Sequence, residues 1–238
     1  MFRLRYLLSA AALLLGFGFV VSADEAIPGE ADYKLNVQDF SELVVDNDLS
    51  VDYFCSPDSA GWAVFTCLPE KAEMIMFNNN KSCLRIQLDT ESKNVGDMPK
   101  IKVYSSTLSK VVNSGDSIVR VFSPAAVTQL KSHLIGNGIL ELFDVRVSNM
   151  EAGITTGKGT IRISGKAQKA KLHNVGTGLI DAKGLVASQV KCILMGGHIE
   201  CNAGDNLTIS GAGGNVKYHG TPKKLSNRSL GAKLEKVE

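Results

Sequence analysis

Gly159-Thr160-Ile161-Arg162-Ile163, followed nineteen residues later by Gly178-Leu179-Ile180-Asp181-Ala182 and then by Gly197-His198-Ile199-Glu200-Cys201, decides the architecture. Each phrase is a glycine, a variable residue, then apolar–polar–apolar. Further copies stand at Gly115-Asp116-Ser117-Ile118-Val119-Arg120-Val121, Gly138-Ile139-Leu140-Glu141-Leu142 and Gly214-Asn215-Val216-Lys217-Tyr218. The glycines are 23, 21, 19, 19 and 17 residues apart. Two-residue alternation inside a period near twenty predicts coils of β-structure stacked on one another. The expected class is all-β: a parallel β-helix, or solenoid, with a more irregular N-terminal β portion.

Stacking assigns the side chains. Leu140, Ile161, Ile180, Ile199 and Val216 form one predicted inward column, and Leu142, Ile163, Ala182, Cys201 and Tyr218 form the next. A second alternating stretch follows each phrase: Val145-Arg146-Val147, Ala170-Lys171-Leu172, Val190-Lys191-Cys192 and Leu207-Thr208-Ile209. Its apolar ends give a third predicted column of Val147, Leu172, Cys192 and Ile209. One coil alone leaves its apolar side wet; its neighbours bury it. Glycine at each corner is expected where a sharp turn needs positive φ. Val119 and Val121 join after a two-residue slip.

Outside this array the chain divides simply. Residues 1–23 read as a cleaved signal peptide: Arg3 and Arg5, an apolar run from Tyr6 to Val21, and small residues up to Ala23, after which cleavage is expected. Residues 24–36 are a polar leader, 37–107 an N-terminal β portion, 108–222 the coils, and 223–238 a basic cap anchored by Leu225, Leu230 and Leu234. Leu49–Phe54 and Trp62–Cys67 read as strands running out and back around a turn. Pro69–Glu73 reads as a short helix broken by Asn78-Asn79-Asn80. Cys83–Leu88 and Ile101–Tyr104 read as two further strands, with a polar loop at 91–99 between them.

Export is the expected fate, to the periplasm or the cell surface, with no membrane span once the signal is removed. Losing Arg3 and Arg5 brings 26 Lys+Arg down to 24, equal to the 24 Asp+Glu, so global charge does not point to nucleic acid. The five cysteines, Cys55, Cys67, Cys83, Cys192 and Cys201, match no zinc spacing. One bridge among the first three is open; Cys192 and Cys201 read as small buried hydrophobes.

The outward positions of the first strand read Arg120, Glu141, Arg162, Asp181, Glu200 and Lys217, a charge ladder with one like-charged step. Asp181 and Glu200 are therefore the one acid pair to weigh for glycoside hydrolysis. The outward positions of the second stretch read Arg146, Lys171, Lys191 and Thr208, flanked by Lys169. Stacked cations suit phosphate or acidic sugars; Asp144 or Glu151 nearby would instead neutralise them. The histidines, His133, His173, His198 and His219, fall in different predicted registers. No catalytic residue, cofactor or metal is assigned. A single tryptophan, Trp62, sits with Tyr53, Phe54 and Phe65, where core packing is the expected role. Asp58-Ser59-Ala60 and Asp116-Ser117-Ile118 match an Asp-Ser-apolar acceptor for O-glycosylation, at Ser59 and Ser117.

Phe40-Ser41-Glu42-Leu43-Val44-Val45, the glycine-cornered repeats and the closing run Ile209-Ser210-Gly211-Ala212-Gly213-Gly214-Asn215-Val216-Lys217-Tyr218-His219-Gly220-Thr221-Pro222 together resemble the bacterial putative auto-transporter adhesin family known by its head GIN domain. The resemblance spans Val37 to Lys236. Pro57-Asp58-Ser59-Ala60-Gly61 and Phe77-Asn78-Asn79-Asn80 are similar to members from Bacteroidetes. It implies an exported right-handed parallel β-helix with no established activity. The family's common Ser-Gly-Ser-Gly corners are here Ile135-Gly136-Asn137-Gly138, Thr156-Gly157-Lys158-Gly159, Val175-Gly176-Thr177-Gly178 and Met195-Gly196-Gly197, so no ligand is carried over at them. The function expected is a non-enzymatic structural or adhesin-like module at the cell envelope that contacts a glycan, polymer or protein. A carbohydrate-active β-helix enzyme and a protein–protein adaptor are the alternatives.

Overall fold

The structure is a computed structural model and describes residues 29–89 and 96–237. The expected signal peptide, its cleavage point after Ala23 and most of the loop at 91–99 lie outside the described residues. The strands are β1 (Ala31–Asn36), β2 (Glu42–Asp46), β3 (Val51–Cys55), β4 (Trp62–Cys67), β5 (Ile75–Asn80), β6 (Cys83–Leu88), β7 (Ile101–Ser105), β8 (Lys110–Ser114) and β9 (Ile118–Phe122). They continue with β10 (Val127–Ile135), β11 (Ile139–Thr156), β12 (Thr160–Asn174), β13 (Leu179–Leu194), β14 (His198–Gly211), β15 (Asn215–His219), β16 (Lys224–Ser229) and β17 (Lys233–Lys236). One short helix, α1 (Pro69–Glu73), interrupts the described strands, with proline in its first turn.

From β8 onward every described pairing is parallel and joins consecutive coils. Leu140 pairs with Ile161, Ile161 with Ile180, Ile180 with Ile199 and Ile199 with Val216, all buried. Val119 enters beside Leu140 and Val121 beside Leu142, which settles the two-residue slip. Each fully buried aliphatic side chain contributes about 1.5–3 kcal/mol by leaving water, and the repeat supplies one at every level.

The third predicted column is corrected. Val147 pairs with Val127 and Ala167, whereas Leu172 pairs with Ala152 and Cys192. Each coil carries two segments after the first strand, such as Gly165–Ala167 and Lys169–Asn174, and the pairing skips Ser148, Gln168 and Ser188 between them. Gly165 and Ala167 are too small to announce a strand in the sequence. Val145-Arg146-Val147 and Ala170-Lys171-Leu172 therefore belong to different sides of the coil.

The parallel stack also reaches further toward the N-terminus than the glycine phrases announce. β2 lies between β6 and β8, and β3 lies between β7 and β9, all parallel. Here spatial order departs from chain order, because the coil made by β6 and β7 lies outside the one made by β2 and β3. The expected out-and-back pair of residues 49–67 does not form. With β3 occupied on both edges, β4 pairs antiparallel with β7 and β1 instead. The predicted polar leader thus supplies a strand at 31–36. Asn78-Asn79-Asn80 ends no helix; it completes β5, antiparallel to β6, and the Asn79 Nδ2 donates to the carbonyl of Val37 at 2.8 Å.

At the other end, the predicted cap is itself a coil. β16 pairs with β14 and β17 with β15. Leu234 packs on the core, but Leu225 is 42% and Leu230 94% exposed, so only one of the three expected anchors works as one.

The corners are tied by side chains. Asp116 N–H donates to Asp48 Oδ1 at 3.0 Å, Asn137 N–H to Asp116 Oδ1 at 3.0 Å, and Lys158 N–H to Asn137 Oδ1 at 3.1 Å. One coil's carboxyl or amide thereby accepts the next coil's backbone proton.

Candidate functional site

The cation stripe read from the sequence is reorganised by this register. Arg146 leaves it: it stacks beside Lys166 and pairs with Asp144 at 3.0 Å. Lys171 and Lys191 remain adjacent, in a row that runs Lys110, Lys131, Glu151, Lys171, Lys191, Thr208 and Ser226. Lys169 occupies a parallel row of Gln129, Asn149, Lys169, Gln189, Asn206 and Lys224. Neighbours in a row are about 4.8 Å apart, the spacing of paired strands.

Between the two rows lies a groove of about 540 Å³, with Met150, Ala170 and Val190 as its apolar floor. Its rims carry Lys169, Lys171, Lys191 and Lys224 against one acid, Glu151. Lys171 Nζ donates to Glu151 Oε1 at 2.7 Å, and this bond holds the Glu151 carboxyl below its ordinary range. Among the described residues, Lys131, Lys169, Lys191 and Lys224 form no ion pair. The compensation expected from Glu151 is therefore an ion pair at Lys171, with a through-space attraction to Lys131 beside it.

Two histidines also share a row. His133, Gly153 and His173 stack in that order beside the lysine row, although their sequence positions read as different registers. Gly153 has no side chain, and the His133 ring occupies that side, with Nδ1 3.3 Å from where a Cβ would stand. Burial pushes the His133 pKa down, with Glu151 opposing and Lys110, Lys131 and His173 assisting. Among the described residues no three His, Cys, Asp or Glu side chains gather to hold a metal.

The charge ladder is in the expected register. Glu141 receives Arg120 Nε at 3.1 Å and Arg162 Nη1 at 2.8 Å. Lys183 resolves the like-charged step, lying 3.2 Å from Asp181 and 3.6 Å from Glu200. His219 Nε2 sits 2.8 Å from Glu200 Oε1. This acid pair lies on the outer face, away from the groove, and a lysine bridges it.

Sequence reading missed an aromatic row. Tyr104, Phe54, Phe122 and Phe143 stack on consecutive coils, with centroids 5.5, 5.0 and 5.3 Å apart and rings within 23° of parallel. The single aromatics at these positions signal it only once the coil order is known. Each inner ring has both faces covered, which leaves edges rather than faces for a sugar. Trp62, opposite Tyr104, is half-buried with Lys34 Nζ 4.5 Å over its ring. The Ser117 hydroxyl is hydrogen-bonded to Ser50 at 2.7 Å, whereas Ser59 lies in the 3-10 turn Pro57–Ser59 beside exposed Asp58.

A family model described as "Putative auto-transporter adhesin, head GIN domain" matches residues 29–222. The chain belongs to that family. Solved structures share the fold of this head GIN domain. A putative adhesin from Bacteroides fragilis superimposes with a TM-score of 0.77 at 22% identity, covering 89% of this chain and 98% of the other. A putative lipid binding protein from Parabacteroides distasonis gives 0.67 at 20% identity, covering 89% and 98%. A putative adhesin from Parabacteroides merdae gives 0.65 at 18% identity, covering 89% and 97%. No curated protein matches the chain. Membership and fold support a structural or adhesin-like module, and among the described residues no helix is long and apolar enough to cross a membrane.

Proposed function

We propose that this head GIN domain is an exported, non-enzymatic envelope module that holds a linear anionic glycan along the groove between its two polar rows. The observation that carries this is the groove itself: four lysines and one acid on parallel rims, with amides of Gln129, Asn149, Gln189 and Asn206 between them. A linear acidic polymer meets a cation or an amide at every coil. Single contacts of this kind are weak and screened by salt, and their repetition along a rigid stack accumulates affinity. Stacked apolar side chains fill the interior of the described coils, which supports a ligand held on the surface.

The test is retention on immobilised uronic-acid polymers against matched neutral glycans at low salt. The wild-type chain is expected to bind the acidic polymers and to release as salt rises. Lys169→Glu with Lys191→Glu is expected to lower affinity at least tenfold, because neither lysine supports a described ion pair. Equal retention of both proteins sinks the reading. Of the two O-glycosylation candidates, Ser59 fits a modification site and Ser117, engaged by Ser50, does not; peptide mass spectrometry of the exported protein that finds Ser59 bare removes the first.

A further inference from the structure

Cys192 and Cys201 meet across the interior of one coil. Cys192 follows Leu172 in its row, and Cys201 follows Ala182 in another. The strands that carry them are joined by the corner Met195-Gly196-Gly197. Their Sγ atoms are 3.9 Å apart, and the two residues are 0% and 1% exposed. The coil before places Leu172 and Ala182 at the same two positions, and the coil after places Ile209 and Tyr218 there. Only this level therefore opposes two thiols. All five cysteines, including Cys55, Cys67 and Cys83, among which sequence reading left one bridge open, are free thiols in this structure, and Cys55 Sγ donates to the Ser106 carbonyl.

We infer that Cys192 and Cys201 are a cross-linking site, oxidised to a disulfide that staples two sides of one coil as the chain folds. Closing the bond takes the sulfurs from 3.9 Å to about 2 Å. The oxidant is a small-molecule or protein disulfide. One cysteine thiolate attacks it, releasing a thiolate and forming a mixed disulfide; the second cysteine displaces the other half. Two cysteine thiols lose two electrons and two protons, and the donor disulfide leaves as two thiols.

Timing follows from burial. In the finished fold no donor reaches either sulfur. The hydrogen bond with Cys201, and then burial, also push the Cys192 thiol up and keep it protonated and unreactive. Exchange therefore precedes the packing of this coil, and the finished bond is sealed from reductants that cannot unfold the chain.

The test uses the full chain folded with a glutathione redox couple, then denatured without reductant in an alkylating agent and digested. The expected map joins the Cys192 and Cys201 peptides, lighter by two hydrogens than the free pair, with Cys55, Cys67 and Cys83 alkylated. In Cys192→Ala, Cys201 is expected to become alkylated while the other three are unchanged. Alkylation of both Cys192 and Cys201 in the wild type, or a bridge from either to Cys55, Cys67 or Cys83, overturns the inference.

Discussion

At the scale of single residues, glycine is required here for two different reasons. Gly136 and Gly157 adopt φ of +116° and +89°, where a Cβ is strained. Gly159 does not have positive φ, yet a Cβ there would lie 2.6 Å from both the Gly138 carbonyl oxygen and Leu134 Cδ2. Its constraint is the approach of one coil to the next, which a turn-based reading of the sequence overlooks. Gly159→Ala is expected to cost about 1–3 kcal/mol, the range for overpacking. Gly213→Ala, whose nearest atom would be 3.7 Å away and whose φ is not positive, is expected to stay within about 0.5 kcal/mol of wild type. Urea denaturation of the two variants checks both.

Glu151 and His133 are adjacent and give the fold a shared response to acid. Glu151 titrates below its unfolded value, so its contribution is present above the ordinary carboxylate range and is lost as pH falls through the folded value. His133 also titrates below its unfolded value of 6.5; folding disfavours its charged form, and stability is lost as pH falls through that region. Both act in one direction. Thermal midpoints are expected to fall from neutral to acid pH. His133→Gln should flatten the upper part of that curve and Glu151→Gln the lower part. A slope unchanged in either variant refutes its assignment.

At the scale of elements, the aromatic row shows how the stack uses its outer face. Phe122 is pressed between Phe54 and Phe143, so Phe122→Ala removes two ring pairs, together about 1–3 kcal/mol. Phe143→Ala, at the end of the row and 37% exposed, is expected to cost less. Equal losses in chemical denaturation would show that ring stacking does not matter there. The asparagine corners act in parallel. Asn174 Nδ2 donates to the Gly178 carbonyl at 2.9 Å and the His198 carbonyl at 3.2 Å, joining two coils through one buried amide.

At the scale of the whole molecule, the two ends of the stack are finished differently. Antiparallel strands β1, β4 and β5 close the N-terminal end. At the other end β16 and β17 present Lys224, Arg228, Lys233 and Lys236, charges that discourage a further strand from pairing. Ending the chain after Pro222 would leave β14 and β15 as a bare parallel edge. Such a variant is expected to self-associate, with light scattering reporting a mass above that of one chain; a monodisperse monomer would show that β16 and β17 guard nothing.

Much of this was legible in the chain itself. A period near twenty with strict alternation requires coils in register, so Leu140, Ile161, Ile180 and Ile199 were bound to meet, and the ladder from Arg120 to Lys217 followed. Local patterning carries that information because each coil repeats its neighbour's contacts. The position of Arg146 outside the lysine rows, the meeting of Cys192 with Cys201, the histidines on either side of Gly153 and the aromatic row were decided only by the tertiary structure. They depend on how many segments each coil folds into and on the order in which the N-terminal coils stack. Small residues at a bend and a chain that returns to an outer layer leave no periodic mark, so packing alone sets those distances.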